Sequence, residues 1–197
     1  MSNNLKNSMA DNYFSLLGLP VSFDVDKAKL TQNYHEIQKS IHPDKFANAT
    51  DLERRLSVQK AAQINDALET LKNPVRCSIY LLSLYGIELG ENDANIDPEF
   101  LMEQMELREN LSEVAGRDDP LTELDNIMDD VNSRIKQAIN LLGNLFRELS
   151  SADEKAEKEK NDEHLLNEAK AQVLKLQFLN RLQEECLNKE EDLAEQL

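Results

Sequence analysis

Glycine and proline are scarce in this 197-residue chain, five of each, and every proline falls near the edge of a segment with helical patterning. Leu, Glu, Ala, Lys and Gln are abundant instead, which is the composition of an all-helical protein. Cysteine is scarcer still. Cys77 and Cys186 are the only two, far apart and without a Cys-x-x-Cys spacing. That argues against a disulfide framework and a zinc site, makes both thiols small apolar packing residues, and suits a reducing cytoplasm. The three histidines, His35, His42 and His164, are scattered without metal-ligand spacing, so neither a metal nor a cofactor is expected. No Gly-rich phosphate loop is present, so the chain should not bind ATP itself. No apolar run approaches the length that spans a bilayer. The first ten residues lack Arg and an apolar core, and neither a signal nor a transit peptide is expected.

Charge is abundant and uneven. The net charge is −16, yet residues 1–76 hold 10 Lys/Arg against 9 Asp/Glu, leaving 12 against 29 in the remainder. The asymmetry suggests two units with different partners, and the length admits two small domains. It argues against nucleic acid, whose phosphates the acidic half would repel.

Helix signals organise the chain. A short helix is expected from about Asp11, as N-cap, to Leu17, with Gly18 closing it. Leu30, Tyr34, Ile37 and Ile41 form one face of a second helix over roughly 26–41. Thr50-Asp51-Leu52-Glu53 is a capping box opening a third, which runs to Lys72 and carries Ala61, Ile64, Leu68 and Leu71 inward. Val75 to Tyr85 continues as another helix. Residues 87–97 read as a linker. Asp97-Pro98 and Asp119-Pro120 each place an N-cap before a proline at the first helical position. They start helices reaching about Ala115 and Leu149, the longer one turning Ile127, Val131, Ile135, Leu142, Leu145 and Leu149 inward. Ser150 to Asp162 is charged and reads as a loop. The last helix is expected from about Glu163, with Ala169, Val173, Leu176, Leu179, Leu182 and Cys186 inward. The fold class is therefore all-α, with residues 98–197 forming an antiparallel three-helix bundle.

Between the second and third helices lies Ser40-Ile41-His42-Pro43-Asp44-Lys45-Phe46. Pro43 disfavours the α region at His42, so the helix should stop there and leave the tripeptide in an exposed loop. Turn chemistry alone would explain Pro43-Asp44. The context supplies more. Asn12-Tyr13-Phe14-Ser15-Leu16-Leu17-Gly18-Leu19, the His-Pro-Asp loop, and Asn65 to Pro74 resemble a J-domain, here residues 11–86. Tyr80-Leu81-Leu82-Ser83-Leu84-Tyr85-Gly86, Phe100-Leu101-Met102-Glu103-Gln104-Met105-Glu106-Leu107-Arg108-Glu109 and Leu176-Gln177-Phe178-Leu179 resemble the HscB (Hsc20-type) family of iron–sulfur co-chaperones. The similarity runs from Asp11 onward.

The helix after Pro98 has a pattern of its own. At about 100° per residue, Phe100, Leu107, Leu111 and Val114 fall within about 40° of one direction, the core stripe. Leu101, Met105 and Met102 fall near about 100°, 140° and 200°, and Glu109, Glu113 and Glu106 near about 180°, 220° and 240°. Met102 and Met105 are expected to be exposed, and clustered exposed apolar side chains mark interaction sites. Leu101 suits either exposure or packing on a neighbouring helix. Phe178 suits an edge position, with a buried core aromatic as the alternative.

The resemblance implies an adaptor without a catalytic site. His42, Pro43 and Asp44 would dock on an Hsp70-class chaperone of the HscA kind and stimulate its ATPase. Asp44 would engage a partner arginine, a strong directional pair. Lys39 and Lys45 would add a thin basic patch; Lys27 and Lys29 suit an ordinary solvated face. Leu101, Met102, Met105, Glu106, Glu109, Glu113 and Phe178 would bind the iron–sulfur scaffold protein IscU. Met105 stands where the family has Leu, a swap that keeps volume. The expected location is the cytoplasm, without membrane or nucleic-acid partners. A J-protein serving another client is the alternative. An enzyme using His42 and Asp44 as acid and base fits poorly, because Pro43 separates them and no second polar cluster accompanies them. An acidic helical structural protein is the third possibility.

Overall fold

The computed structural model describes residues 12–41, 50–90, 98–151 and 158–195, with side chains from residue 161 onward in the last stretch. Its helices in chain order are α1 (Tyr13–Leu16), α2 (Lys27–Ile41), α3 (Asp51–Lys72), α4 (Pro74–Leu84), α5 (Pro98–Glu113), α6 (Pro120–Ser151) and α7 (Lys158–Ala194), with a 3-10 turn at Val114–Gly116. No strand occurs among the described residues, so the fold is all-α as its composition implies. The chain divides into two compact units, Met1–Glu88 and Leu89–Leu197.

In the first unit, local chemistry starts and stops each helix. The N-cap of α1 is Asn12 rather than Asp11. Its side chain accepts from Ser15 N at 2.9 Å while Ser15 Oγ accepts from Asn12 N at 3.0 Å, a reciprocal box that an Asp11 cap would forgo. Gly18 takes φ 64 just past the helix end, where an L side chain is strained, and Leu19 N reaches back to Phe14 O at 2.8 Å. Asp26 caps α2 by accepting from Ala28 N and Lys29 N, both at 3.0 Å. Thr50 and Glu53 form the expected capping box on α3. Asn73 caps α4 and Pro74 occupies its first turn, so the break between α3 and α4 is one residue wide.

Phe14, Leu17, Leu30, Ile64, Ala67, Leu71, Cys77, Leu81, Leu82 and Leu84 are buried in this unit. Of the expected α2 stripe, Leu30 is buried and Tyr34, Ile37 and Ile41 are half-buried. Polar bonds between helices complete the packing. The Tyr34 hydroxyl donates to Asn65 Oδ1 at 3.0 Å, and Gln38 Nε2 donates to both Tyr34 Oη and Asn65 Oδ1. Tyr13 stacks on Tyr80 at 4.5 Å, its backbone N–H donates to the Tyr80 hydroxyl, and its own hydroxyl donates to Asp66.

The second unit is built on α6 and α7, which pack along each other, with α5 set against both. Val131, Leu142, Ala169, Val173, Leu176, Leu179, Leu182 and Cys186 are buried, as their periodicity requires. Ile127 and Ile135 are half-buried at the core edge. Two boundaries differ from expectation. α6 continues through Ser151, and α7 starts at Lys158, five residues before Glu163. Lys158, Glu159 and Lys160 are residue types with strong helix propensity, and such residues extend a helix without an apolar stripe.

Candidate partner-docking face

α5 buries its predicted stripe. Leu107, Leu111 and Val114 lie in the bundle core, and Phe100 packs against them half-buried. The same helix turns Leu101, Met102 and Met105 to solvent at 44%, 64% and 71% exposure, and Glu106, Glu109 and Glu113 are exposed beside them. Leu101 is therefore exposed, which settles the alternative left open for it. Six of the seven residues assigned to this face by resemblance share the outer side of one helix.

Phe178 does not join them. It is 5% exposed and belongs to the core with Leu179 and Leu182. The expectation of an edge position is corrected by two contacts. Phe100 meets its ring, and the Arg108 guanidinium lies over it, Cζ 5.5 Å from the centroid. Phe178 supports the face from beneath.

A polar clamp that helix periodicity does not reveal lies beside the face. Glu103 accepts from Lys175 Nζ at 2.8 and 3.1 Å and from Arg134 on α6. Arg134 also donates to Asp130 at 2.8 Å. Burial works against the Arg134 charge, but the carboxylates of Asp130 and Glu103 more than offset it and hold its pKa above the ordinary arginine value. Arg108 bonds Glu185 at 3.4 Å on the other side. The available signal was positional: Glu103 interrupts the border of the apolar stripe, where a charge needs a partner.

His42, Pro43, Asp44 and Lys45 lie outside the described residues. Lys39, one helical turn before them, is exposed at the end of α2, as are Lys27 and Lys29 nearer its start. His35 and His164 are exposed and far apart in sequence. Among the described residues no group of three or more His, Cys, Asp or Glu is placed to hold a metal. Cys77 and Cys186 are buried, and desolvation pushes their thiols up to about 12 and about 11. Among the described residues no helix is long and apolar enough to cross a membrane.

A family model described as the HSCB C-terminal oligomerisation domain matches residues 96–186. The co-chaperone protein HscB homolog of Shewanella halifaxensis is 42% identical over 183 residues, covering 92% of this chain and 98% of the relative. That of Pseudoalteromonas atlantica is 38% identical over 185 residues, covering 93% and 99%. Two solved structures are similar. HscB from Vibrio cholerae has a TM-score of 0.77 at 38% identity, covering 93% of this chain and 99% of that one. The human co-chaperone protein HscB has 0.74 at 30%, covering 91% and 82%. With a helical first unit, a three-helix bundle, and relatives matched over nearly their whole length, this chain belongs to the HscB co-chaperone family.

Proposed function

We propose that this chain is a two-domain adaptor that holds the scaffold protein IscU on residues 98–197 and presents it to an HscA-type Hsp70 chaperone through residues 11–86, with 87–97 as linker. The observation that carries the client half is the outward face of α5. Leu101, Met102 and Met105 are large, apolar and exposed, and Glu106, Glu109 and Glu113 ring them with negative charge. Methionine adapts to a partner's relief, and the glutamates select a basic rim on it.

The chaperone half rests on His42, Pro43 and Asp44 with Lys39 and Lys45 beside them. The Asp44 carboxylate pairs with an arginine of the ATPase, and Pro43 limits the loop's freedom before binding and so lowers the cost of ordering it. Binding both partners raises the client's local concentration at the chaperone. The adaptor performs no covalent chemistry and works in the cytoplasm during iron–sulfur cluster transfer.

The test is a pull-down of purified scaffold and chaperone with the intact chain and with residues 98–197 alone. The intact chain captures both, and the shorter piece captures the scaffold only. Retention of the chaperone by the shorter piece would overturn the assignment of partners to halves.

A further inference from the structure

α5 carries two apolar faces, and only one is buried. Phe100, Leu107, Leu111 and Val114 point to the core, while Leu101, Met102 and Met105 point to solvent. Both faces hold large apolar side chains, so a partial roll about the helix axis that keeps Glu106, Glu109 and Glu113 in solvent exchanges part of one apolar burial for part of the other. Hydrophobic burial is non-directional and discriminates weakly between such settings. The directional contacts are the polar ones, beside the edge-on meeting of Phe100 with Phe178.

Two clamps bracket the buried stripe. Glu103 lies about 60° to one side of Phe100 and Arg108 about 80° to the other. The Glu103 side chain, 22% exposed, takes bonds from Lys175 on α7 and Arg134 on α6, so it ties α5 to both neighbours at one point. Lys175 Nζ also stands 5.7 Å from the centroid of the Phe100 ring. Arg108 is the looser clamp, more exposed and 3.4 Å from Glu185. Turning Met105 inward carries Glu103 away from both of its donors and leaves Lys175 without that carboxylate.

We propose that Glu103 is the positioning residue of α5: held by Arg134 and Lys175, it sets the helix rotation that turns Leu101, Met102 and Met105 outward. The effect on scaffold binding rests on the docking reading above; the rotation itself does not.

The experiment compares the full-length chain with Glu103→Ala and Glu103→Gln. Peroxide oxidation of Met102, Met105 and Met128 is followed residue by residue by mass spectrometry, beside thermal melting and titration of the scaffold. In Glu103→Ala the ratio of oxidation rates at Met102 and Met105 changes several-fold, while Met128, half-buried against the core, stays protected and melting stays cooperative. Scaffold affinity falls about tenfold. Glu103→Gln, which keeps side-chain length and one good acceptor, gives a smaller change in both. An unchanged Met102 to Met105 ratio overturns the proposal. A parallel rise at all three methionines also overturns it, because it means lost packing rather than a changed rotation. A changed ratio with unchanged scaffold affinity sustains the positioning role and removes the docking reading instead.

Discussion

The ring of Phe178 on α7 meets the ring of Phe100 on α5 edge-on, with centroids 5.9 Å apart and planes at 88°. Edge-to-face pairs of this kind add to the burial they accompany. The contact joins the helix that turns Leu101, Met102 and Met105 outward to the helix beneath it. Phe178, assigned by resemblance to the outward face, thus packs in the core beneath α5.

Replacing Phe178 with Ala should therefore cost the second unit about 3–5 kcal/mol, the usual range for a deleted core aromatic. Urea denaturation of residues 98–197 followed by circular dichroism measures it. A cost within about 0.5 kcal/mol, typical of surface positions, would place Phe178 on the surface and contradict the packing described.

The double replacement Met102→Ala with Met105→Ala should have the opposite profile. Both side chains are largely exposed, so the melting midpoint should hardly move. Scaffold affinity should fall tenfold or more, about 1.4 kcal/mol or above, as expected when central apolar anchors are cut back. Calorimetric titration decides it, and unchanged affinity rejects this face as the client site.

Asp44→Asn removes the charge that would pair with a chaperone arginine while keeping size. Stimulation of the chaperone's ATPase should be lost, with scaffold affinity and melting retained. Undiminished stimulation in a steady-state ATPase assay would sink the role assigned to the loop.

The first unit should lose stability at high pH. The hydrogen bond to Asp66, together with burial, pushes the Tyr13 hydroxyl up to about 12, and burial pushes the Cys77 thiol up to about 12. Burial raises Tyr80 as well. In each case the folded chain keeps its proton after the unfolded chain has released it. Stability from these groups is then fully present below the unfolded values, 9.0 for Cys77 and 10.0 for the tyrosines; it declines as pH rises toward about 12 for Tyr13 and Cys77, and above 10.0 for Tyr80. Denaturation of the first unit at stepped alkaline pH should trace this decline, and Tyr13→Phe should remove the share of Tyr13 in the part that begins near 10, leaving that of Tyr80. A Tyr13→Phe profile identical to the parent would show that the Asp66 contact does not hold the proton.

Much of the helical plan was legible because its signals are local. Thr50 with Glu53, Asn73-Pro74, Gly18 and the prolines at 98 and 120 act within a few residues of themselves, through orphan N–H groups and restricted backbone angles. The start of α7 was less legible, because a charged stretch without an apolar stripe reads as loop, although Lys158, Glu159 and Lys160 favour helix wherever neighbouring turns supply the nucleus.

Periodicity along α5 determined by itself that Phe100, Leu107 and Leu111 share one side and Met102 and Met105 another, since 3.6 residues per turn is a property of the backbone alone. Only the tertiary structure decided what covers each side. Phe178 stands within reach of either core or edge on its own helix, and Phe100 and Arg108, seventy or more residues away in sequence, enclose it. Glu103 looked like one acidic residue among many until Arg134 and Lys175, 31 and 72 residues distant, converged on it. Angular position on a helix is set by short-range geometry. Burial and charge pairing are set by which other helix arrives there, and that depends on packing the whole unit at once.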